Sequence, residues 1–302
     1  MKPGHASKFR QTCVADSLPN VRVEARDISK VFASAVLTLG MQSRGLNELT
    51  HGVGDDVRVI VHTLAACFGA LNPKQRFTER NNEESVSAHT LRAVGCRADA
   101  KVISALDQAL IMLADHEMAA ATFVARITAS MNSDLYCCVA SALCAHAGSS
   151  AVAAALEVDA QLFAPLTRKN WRAMQQLVQS HGTTLFGFNH PLYPKGDPRA
   201  EVLLELSATL YSVDPKVPLI LEFLADARRE VGVLPGIAVA LAVFTRTIGM
   251  PYGSAAGLWM LSRTVGWIAH SIEQRTQAFM LRPRASYVRT METRSGTAPS
   301  RI

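Results

Sequence analysis

Apolar residues recur at intervals of three and four along most of the chain, and this spacing predicts helices rather than strands. Val102, Leu106, Leu110 and Leu113 show it most clearly, and the alanine-rich stretch at residues 136–147 continues it. We find no alternating apolar and polar pattern of useful length. The predicted fold class is therefore all-α.

Local turn chemistry marks several ends of the predicted helices. Asp197-Pro198 is typical of a helix start, with Asp at the N-cap and Pro at the first helical position. Gly249-Met250-Pro251 ends one helix, and a long helix is predicted from there to about Ala278. The stretch 72–85 contains Pro, paired Asn and mixed charge, which predicts a loop.

Charge narrows the class of partner. The chain has 302 residues, a net charge of +6 at pH 7 and an isoelectric point near 9.1. Its basic residues are dispersed and are not interleaved with aromatics, so we do not expect a nucleic-acid partner. The positive charge instead suits anionic small molecules, such as carboxylates or a nucleotide-bearing thioester.

Two further patterns concern location and metal binding. No apolar run reaches the roughly 18 residues of a membrane span, and residues 1–20 lack the apolar segment of a secretory signal. The six cysteines form no C-x-x-C pair and no metal-ligand spacing. We therefore expect free thiols, no metal site, no membrane partner and a cytoplasmic location.

The candidate chemistry starts at residues 187–200, where His190 lies nine residues before Arg199 across a turn rich in Gly and Pro. Such a loop can present an imidazole and a guanidinium to one small anion. A dicarboxylate with a ketone needs guanidinium forks for its carboxylates and an imidazole for its ketone oxygen. Arg263, Arg282 and His116 complete this set of candidates.

This loop reads G-F-x-H-x-x-Y-x-x-x-D-P-R-A and resembles the corresponding signature of citrate synthases. Three other segments resemble the same family, in the family's order. Residues 113–123 are similar to its A-D-H-E helix, 262–274 to G-R-x-x-G-W-x-A-H-x-x-E-Q, and 281–285 to R-P-R-A. Residues 21–97 resemble the family only loosely, and the N-terminal region is short for it.

The resemblance implies an all-α, citrate synthase-like fold with a large and a small helical domain. The large domain would take residues 21–148 and 250–290, and the small domain 149–249. Separately, residues 1–20 and 291–302 are polar and lack periodicity, which predicts flexible ends. The resemblance also implies closure of the small domain over the ligand, and a homodimer in which Arg282 reaches the partner subunit.

Citrate synthases are acyltransferases of the tricarboxylic acid cycle that condense acetyl-CoA with oxaloacetate to citrate. The resemblance implies that His190 protonates the ketone oxygen as the new bond forms. The coenzyme A thioester is then a co-substrate, and no permanently bound cofactor is expected. The residues implied to bind oxaloacetate are His116, His190, Arg199, Arg263 and Arg282. Those implied to approach the adenine, largely through backbone, are Phe186, Gly187, Phe188 and Asn189.

Two catalytic groups of the family are not found at their expected places. Without gaps, the histidine of the family's H-G-G-A turn falls on Gly148, and a two-residue slip would bring in His146 instead. The carboxylate that acts as general base falls on Ala238, and Glu230, eight residues upstream, is the nearest preceding acid. An alanine cannot take a proton, so we expect catalysis to be impaired or altered.

Three functions remain open at this point. The chain is a divergent acyltransferase, or a non-catalytic homologue that binds a dicarboxylate or a CoA ester, or a lyase or hydrolase that uses the retained anion site. The second reading includes a heteromer with a complete citrate synthase subunit. Trp267 is predicted to lie in the core, and His270 to pack within its helix without a role in the site.

Overall fold

The computed structural model describes residues 24–42, 53–74, 76–81, 83–148, 152–163, 187–212, 214–277 and 279–286. These residues form helices and loops, with no β-strand among them and an isolated antiparallel bridge between Phe188 and Pro235. The prediction of an all-α fold is confirmed. No helix in the described part of the chain is long and apolar enough to cross a membrane.

Two short 3₁₀ turns, Ala25–Asp27 and Phe68–Leu71, accompany the α-helices. The α-helices of the described residues are α1 Ile28–Gln42, α2 Val53–Cys67, α3 Val86–Val94, α4 Ala100–Met112, α5 Ala120–Ser130, α6 Leu135–His146, α7 Val152–Phe163, α8 Pro198–Thr209, α9 Val217–Val231, α10 Ile237–Thr247 and α11 Ser254–Thr276.

The predicted helix ends are largely confirmed. The Asp197 side chain caps α8 by accepting from the Arg199 main-chain N–H at 3.0 Å, and Pro198 is the first helical residue. The long helix after Gly249-Met250-Pro251 is α11, which ends at Thr276. The predicted loop at 72–85 lies between the second 3₁₀ turn and α3.

Helices α10 and α11 form the centre of the fold. Every residue of α10 is buried, and α11 is buried along most of its length. Two glycines allow other elements to approach α11 closely. A Cβ on Gly257 would lie 2.8 Å from the Phe68 ring, and one on Gly266 would lie 2.2 Å from the carbonyl oxygen of Ala114. Gly266 therefore brings the turn after α4 directly onto α11.

A buried histidine pair joins α2 to α3. Nδ1 of His62 lies 3.2 Å from Nδ1 of His89, and Nε2 of His89 lies 2.6 Å from the carbonyl oxygen of Thr78. A carbonyl only accepts, so His89 carries its proton on Nε2 and accepts at Nδ1 from His62. Burial, with the nearby charges of Arg80 and His89, lowers the pKa of His62 to about 4. Burial also lowers the pKa of His89.

This pair predicts a loss of stability in acid. The unfolded chain binds protons near the ordinary pKa of 6.5, whereas folded His62 does so only near 4. The contribution of neutral His62 to the free energy of unfolding is therefore complete above pH 6.5. It is lost as the pH falls to 4, by up to about 1.4 kcal/mol per pH unit. His62→Gln keeps an N–H donor but does not titrate, so its free energy of unfolding should fall less steeply in urea titrations between pH 7 and pH 4.5. Equal slopes would contradict the assignment.

Candidate functional site

The turn between α4 and α5 carries His116. Asp115 Oδ1 accepts the main-chain N–H of His116 at 2.8 Å, and Glu117 adopts a left-handed backbone with φ of 51°. Such a conformation is uncommon for a residue other than glycine and is found preferentially at functional sites. Nε2 of His116 is buried and has no hydrogen-bond partner among the described residues.

Arg263 on α11 holds this turn. Its side chain is 1% exposed, and Nη1 donates to the carbonyl oxygen of Ala114 at 2.6 Å and to Asp115 Oδ1 at 3.3 Å. Nη2 donates to Thr122 Oγ1 at 2.7 Å. The sequence predicts a guanidinium fork directed at a ligand. In the structure, both terminal nitrogens of Arg263 already have protein partners, so this arginine also organises the site.

His146, the last residue of α6, lies against two tryptophans of α11. Its ring meets Trp259 edge-on at 5.1 Å and Trp267 at 5.5 Å between centroids, and Trp259 meets His116 at 6.1 Å. We call these four residues the ring cluster. Nε2 of each histidine and Nε1 of each tryptophan are buried without a partner among the described residues. A buried polar group without a partner costs about 1–3 kcal/mol, so four such nitrogens in one chain of ring contacts make the cluster a candidate place for a polar ligand.

The two histidines of the ring cluster are neutral at physiological pH. Burial, followed by the positive charges of Arg199 and Arg263, lowers the pKa of His116 to about 3. Burial and Arg263 lower the pKa of His146 to about 4. A neutral imidazole can donate a hydrogen bond to a ketone oxygen or accept a proton. Cζ of Arg263 lies 5.8 Å from the centroid of the Trp267 ring, so this arginine borders the ring cluster.

The predicted loop begins with a tight attachment to the segment before α10. The Gly236 main-chain N–H donates to the Gly187 carbonyl at 2.6 Å, and the Asn189 N–H donates to the Leu234 carbonyl at 2.8 Å. A Cβ on Gly187 would lie 2.9 Å from Val239 Cγ2 and 3.7 Å from Ala238 Cβ. The loop that precedes His190 is therefore packed directly against position 238.

His190 and Arg199 both contact Tyr193. Nδ1 of His190 accepts the Leu192 N–H at 3.2 Å, and its ring lies 5.3 Å from that of Tyr193. Cζ of Arg199 lies 4.9 Å from the centroid of the Tyr193 ring, and Nε and Nη2 of Arg199 donate to the two carboxylate oxygens of Asp197 at 2.9 and 2.7 Å. Burial would raise the pKa of Asp197, but Arg199 keeps it below its usual value.

The structure brings together some of the predicted residues and leaves others apart. His116, His146, Arg199 and Arg263 interact electrostatically, and His190 acts on the Asp197 that holds Arg199. Arg282 is exposed at the C-terminal end of the described chain. Phe186 lies outside the described residues, whereas Gly187, Phe188 and Asn189 lie within them. Within the described residues no group of three or more metal-ligating side chains is present.

Trp259 is the member of the site that the sequence interpretation missed. It lies four residues before Arg263, which itself lies four before Trp267, so all three share one face of α11. This four-residue spacing could have indicated from the sequence that Trp259 lies beside Arg263. Trp267 is fully buried, as predicted. His270 also contacts Asp115, at 3.3 Å, and so does more than pack within its helix.

Position 238 and Glu230 were the two places considered for a general base. Ala238 is 5% exposed in the first turn of α10 and carries no titratable group. Glu230 is about half exposed near the end of α9, where it forms an ion pair with Arg229. Arg228 pairs with Glu201 at 3.2 Å and Arg229 with Asp226 at 2.6 Å, which is typical of solvated surface charge.

Comparison with known proteins gives consistent matches. The family model for the C-terminal domain of citrate synthase matches residues 5–284. A 2-methylcitrate synthase of Shewanella oneidensis is 27% identical over 277 residues, which cover 84% of this chain and 70% of that protein. A citrate synthase of Saccharolobus solfataricus is 37% identical over 111 residues, but these span only 36% of this chain and 29% of that protein.

Solved structures show the same fold. A citrate synthase of Thermoplasma acidophilum, solved in a ternary complex with carboxymethyl coenzyme A and oxaloacetate, superimposes with a TM-score of 0.77 at 23% identity, over 98% of this chain and 82% of that one. Citrate synthase of Pyrobaculum aerophilum superimposes with a TM-score of 0.72 at 21% identity. At this level of identity the likeness concerns the fold.

Proposed function

The chain belongs to the citrate synthase family, and from this premise we propose that it binds oxaloacetate or a similar 2-oxo dicarboxylate with impaired condensation activity. The observation that carries the proposal is the ring cluster, with four unpartnered buried nitrogens and Arg263 beside the Trp267 ring. A 2-oxo dicarboxylate offers five oxygen acceptors, which suit two indole N–H groups, two imidazoles and positive charge.

The proposed impairment follows from position 238. Family chemistry removes a proton from the methyl group of acetyl-CoA, and the residue aligned with the base is Ala238. Loss of a positioned base lowers a rate by about 10²–10⁴. Binding of the dicarboxylate does not need this group. We therefore favour a ligand-binding homologue, and the alternative is an acyltransferase with low residual turnover.

We assign His146 to the position of the family's enolising histidine, next to the ligand. Gly148, on which that histidine falls without gaps, is exposed beyond the end of α6. His146 belongs to the ring cluster, and its buried Nε2 has no partner among the described residues. The contacts of His146 thus support the two-residue slip. If an acyl-CoA binds, we propose that it approaches through the backbone of Gly187, Phe188 and Asn189.

We also propose that a second copy of the chain covers the face beside His116. Large apolar side chains are exposed in the turn and at the helix ends next to it: Ile111 is 74% exposed, Met118 52% and Phe123 39%. These three lie within seven residues of His116 in the chain, so a partner that covers them could add Arg282 to the same site. Sedimentation should give a dimer. Copurification with a second citrate synthase-like chain would favour a heteromer instead.

The proposed function is tested by comparing binding with turnover. Oxaloacetate alone should raise the melting temperature of the purified protein, and thiol release from acetyl-CoA plus oxaloacetate should stay far below ordinary enzyme rates. Turnover at an ordinary rate would refute the impairment. If oxaloacetate gave neither a thermal shift nor heat in isothermal titration, the dicarboxylate proposal would be wrong.

His116→Phe should separate ligand binding from folding. Phenylalanine fills similar space and removes a buried nitrogen that has no partner, so the ligand-free melting temperature should not fall. Affinity for oxaloacetate in isothermal titration should drop at least about 10-fold, because a charge-assisted hydrogen bond is lost. His62→Gln changes a buried histidine outside the ring cluster and should bind like the wild type. Unchanged affinity in His116→Phe would exclude the ring cluster as the site.

A further inference from the structure

A closed hydrogen-bond network joins α5, α11 and the turn that carries His116. On α5, Thr122 Oγ1 accepts from Arg263, which also donates to Asp115 Oδ1 at 3.3 Å. The same Asp115 oxygen lies 3.3 Å from Nε2 of His270, whose Nδ1 lies 3.1 Å from Nη1 of Arg126. Arg126 lies one turn after Thr122 on α5, so the hydrogen-bond network returns to the helix where it began.

The hydrogen-bond network determines which nitrogen of His270 carries the proton. Arg126 can only donate hydrogen bonds, so Nδ1 of His270 must accept from it. The proton of the neutral imidazole is then on Nε2, which donates to Asp115. His270 thus links a cation on α5 to a carboxylate in the turn, and one neutral tautomer satisfies both contacts.

Arg126 is a rigid anchor for this link. It is 6% exposed, although it carries a charge. Its Nε donates to Gln274 Oε1 at 3.0 Å, its Nη2 donates to Gln277 Oε1 at 3.1 Å, and it forms an ion pair with Glu273. Two side chains of α11 and that of Gln277, which follows the helix, therefore fix the guanidinium that His270 meets.

Asp115 connects this hydrogen-bond network to the proposed ligand site. Its Oδ1 accepts from Arg263, from His270 and from the main-chain N–H of His116. We propose that His270 is a positioning residue, which holds Asp115 and through it the main chain of His116 and the guanidinium of Arg263. The consequence for binding rests on the proposed function, whereas the contacts themselves are present without ligand.

The effect on affinity should be modest, because the Asp115 side chain is 58% exposed. His270→Ala should weaken the affinity for oxaloacetate about 3- to 10-fold in isothermal titration, the size of one partly exposed charge-assisted hydrogen bond. His270→Gln can still donate an amide N–H to Asp115 and should recover most of this loss. Ile272→Ala, an exposed change on the opposite side of α11, is the matched control and should bind like the wild type.

Side-chain ¹⁵N NMR of histidine-labelled protein provides a readout that needs no ligand. In the ligand-free wild type, His270 should carry its proton on Nε2, and His270→Ala should shift the ring signals of His116 while Ile272→Ala does not. Unshifted His116 signals in His270→Ala would overturn the positioning role, whether or not oxaloacetate binds. Shifted signals in a protein that binds no oxaloacetate would uphold the role and refute only the proposed function.

Discussion

Ala238→Asp should raise the rate of citrate formation from acetyl-CoA and oxaloacetate by about 10²–10⁴, the usual contribution of one positioned base. The residue lies in the first turn of α10, packed against the loop that leads to His190. Ala238 is 5% exposed, so the new carboxylate would lie in the packed contact between α10 and this loop. The rate is measured as thiol release at saturating concentrations of both substrates.

Ala238→Asn is the matched control, because asparagine has nearly the same size and polarity as aspartate but cannot take a proton. Both variants bury a polar group, so each is first checked for its melting temperature and for retained stabilisation by oxaloacetate. Equal rates in the two variants, with folding and binding intact, would contradict the assignment of position 238 to the base.

The second large effect is expected at Asp159 on α7. The side chain is fully buried, its Oδ2 accepts the Gly253 main-chain N–H at 2.8 Å, and its Oδ1 has no partner among the described residues. Burial raises the pKa of Asp159 to about 7, although Gly253 and Arg246 partly oppose the shift. The carboxylate is therefore a buried charge above neutral pH, close to the start of α11.

Asp159→Asn should increase the free energy of unfolding at pH 8 by about 1–3 kcal/mol. The amide oxygen can still accept from Gly253, and the cost of the buried charge is removed, while the new N–H₂ group limits the gain. Because the folded pKa is raised, the stability of the wild type is complete below about pH 4 and falls as the pH rises to about 7. The difference between the two proteins in urea denaturation should thus be larger at pH 8 than at pH 5. An equal difference at both values would contradict the raised pKa.

Local chemistry explains which parts of the site could be predicted from the sequence. The start of α8 was predictable because Asp-Pro sets an N-cap and a fixed backbone angle within three residues. The candidates His116, His190, Arg199 and Arg263 were found because each lies in a short motif. Such motifs identify residues but not the partners that those residues use.

The partners come from separate elements, and this is why the sequence did not reveal them. The ring cluster takes His116 from a turn, His146 from α6 and its two tryptophans from α11. The pairing of Arg263 with the 114–122 region requires α11 to pack against that turn, which depends on the missing Cβ of Gly266. Contacts of this kind depend on how helices pack, and helical periodicity does not specify them.

The sequence by itself determined the helical class, the main helix ends, the candidate histidines and arginines, and the alanine at position 238. These depend on side-chain chemistry and on interactions over a few residues. Only the tertiary structure decided which of these groups meet, which nitrogens stay unpartnered, and that His270 reaches Asp115. Burial and charge at each position are set by the packing of distant segments, and they decide which protonation state and which hydrogen-bond partner each group has.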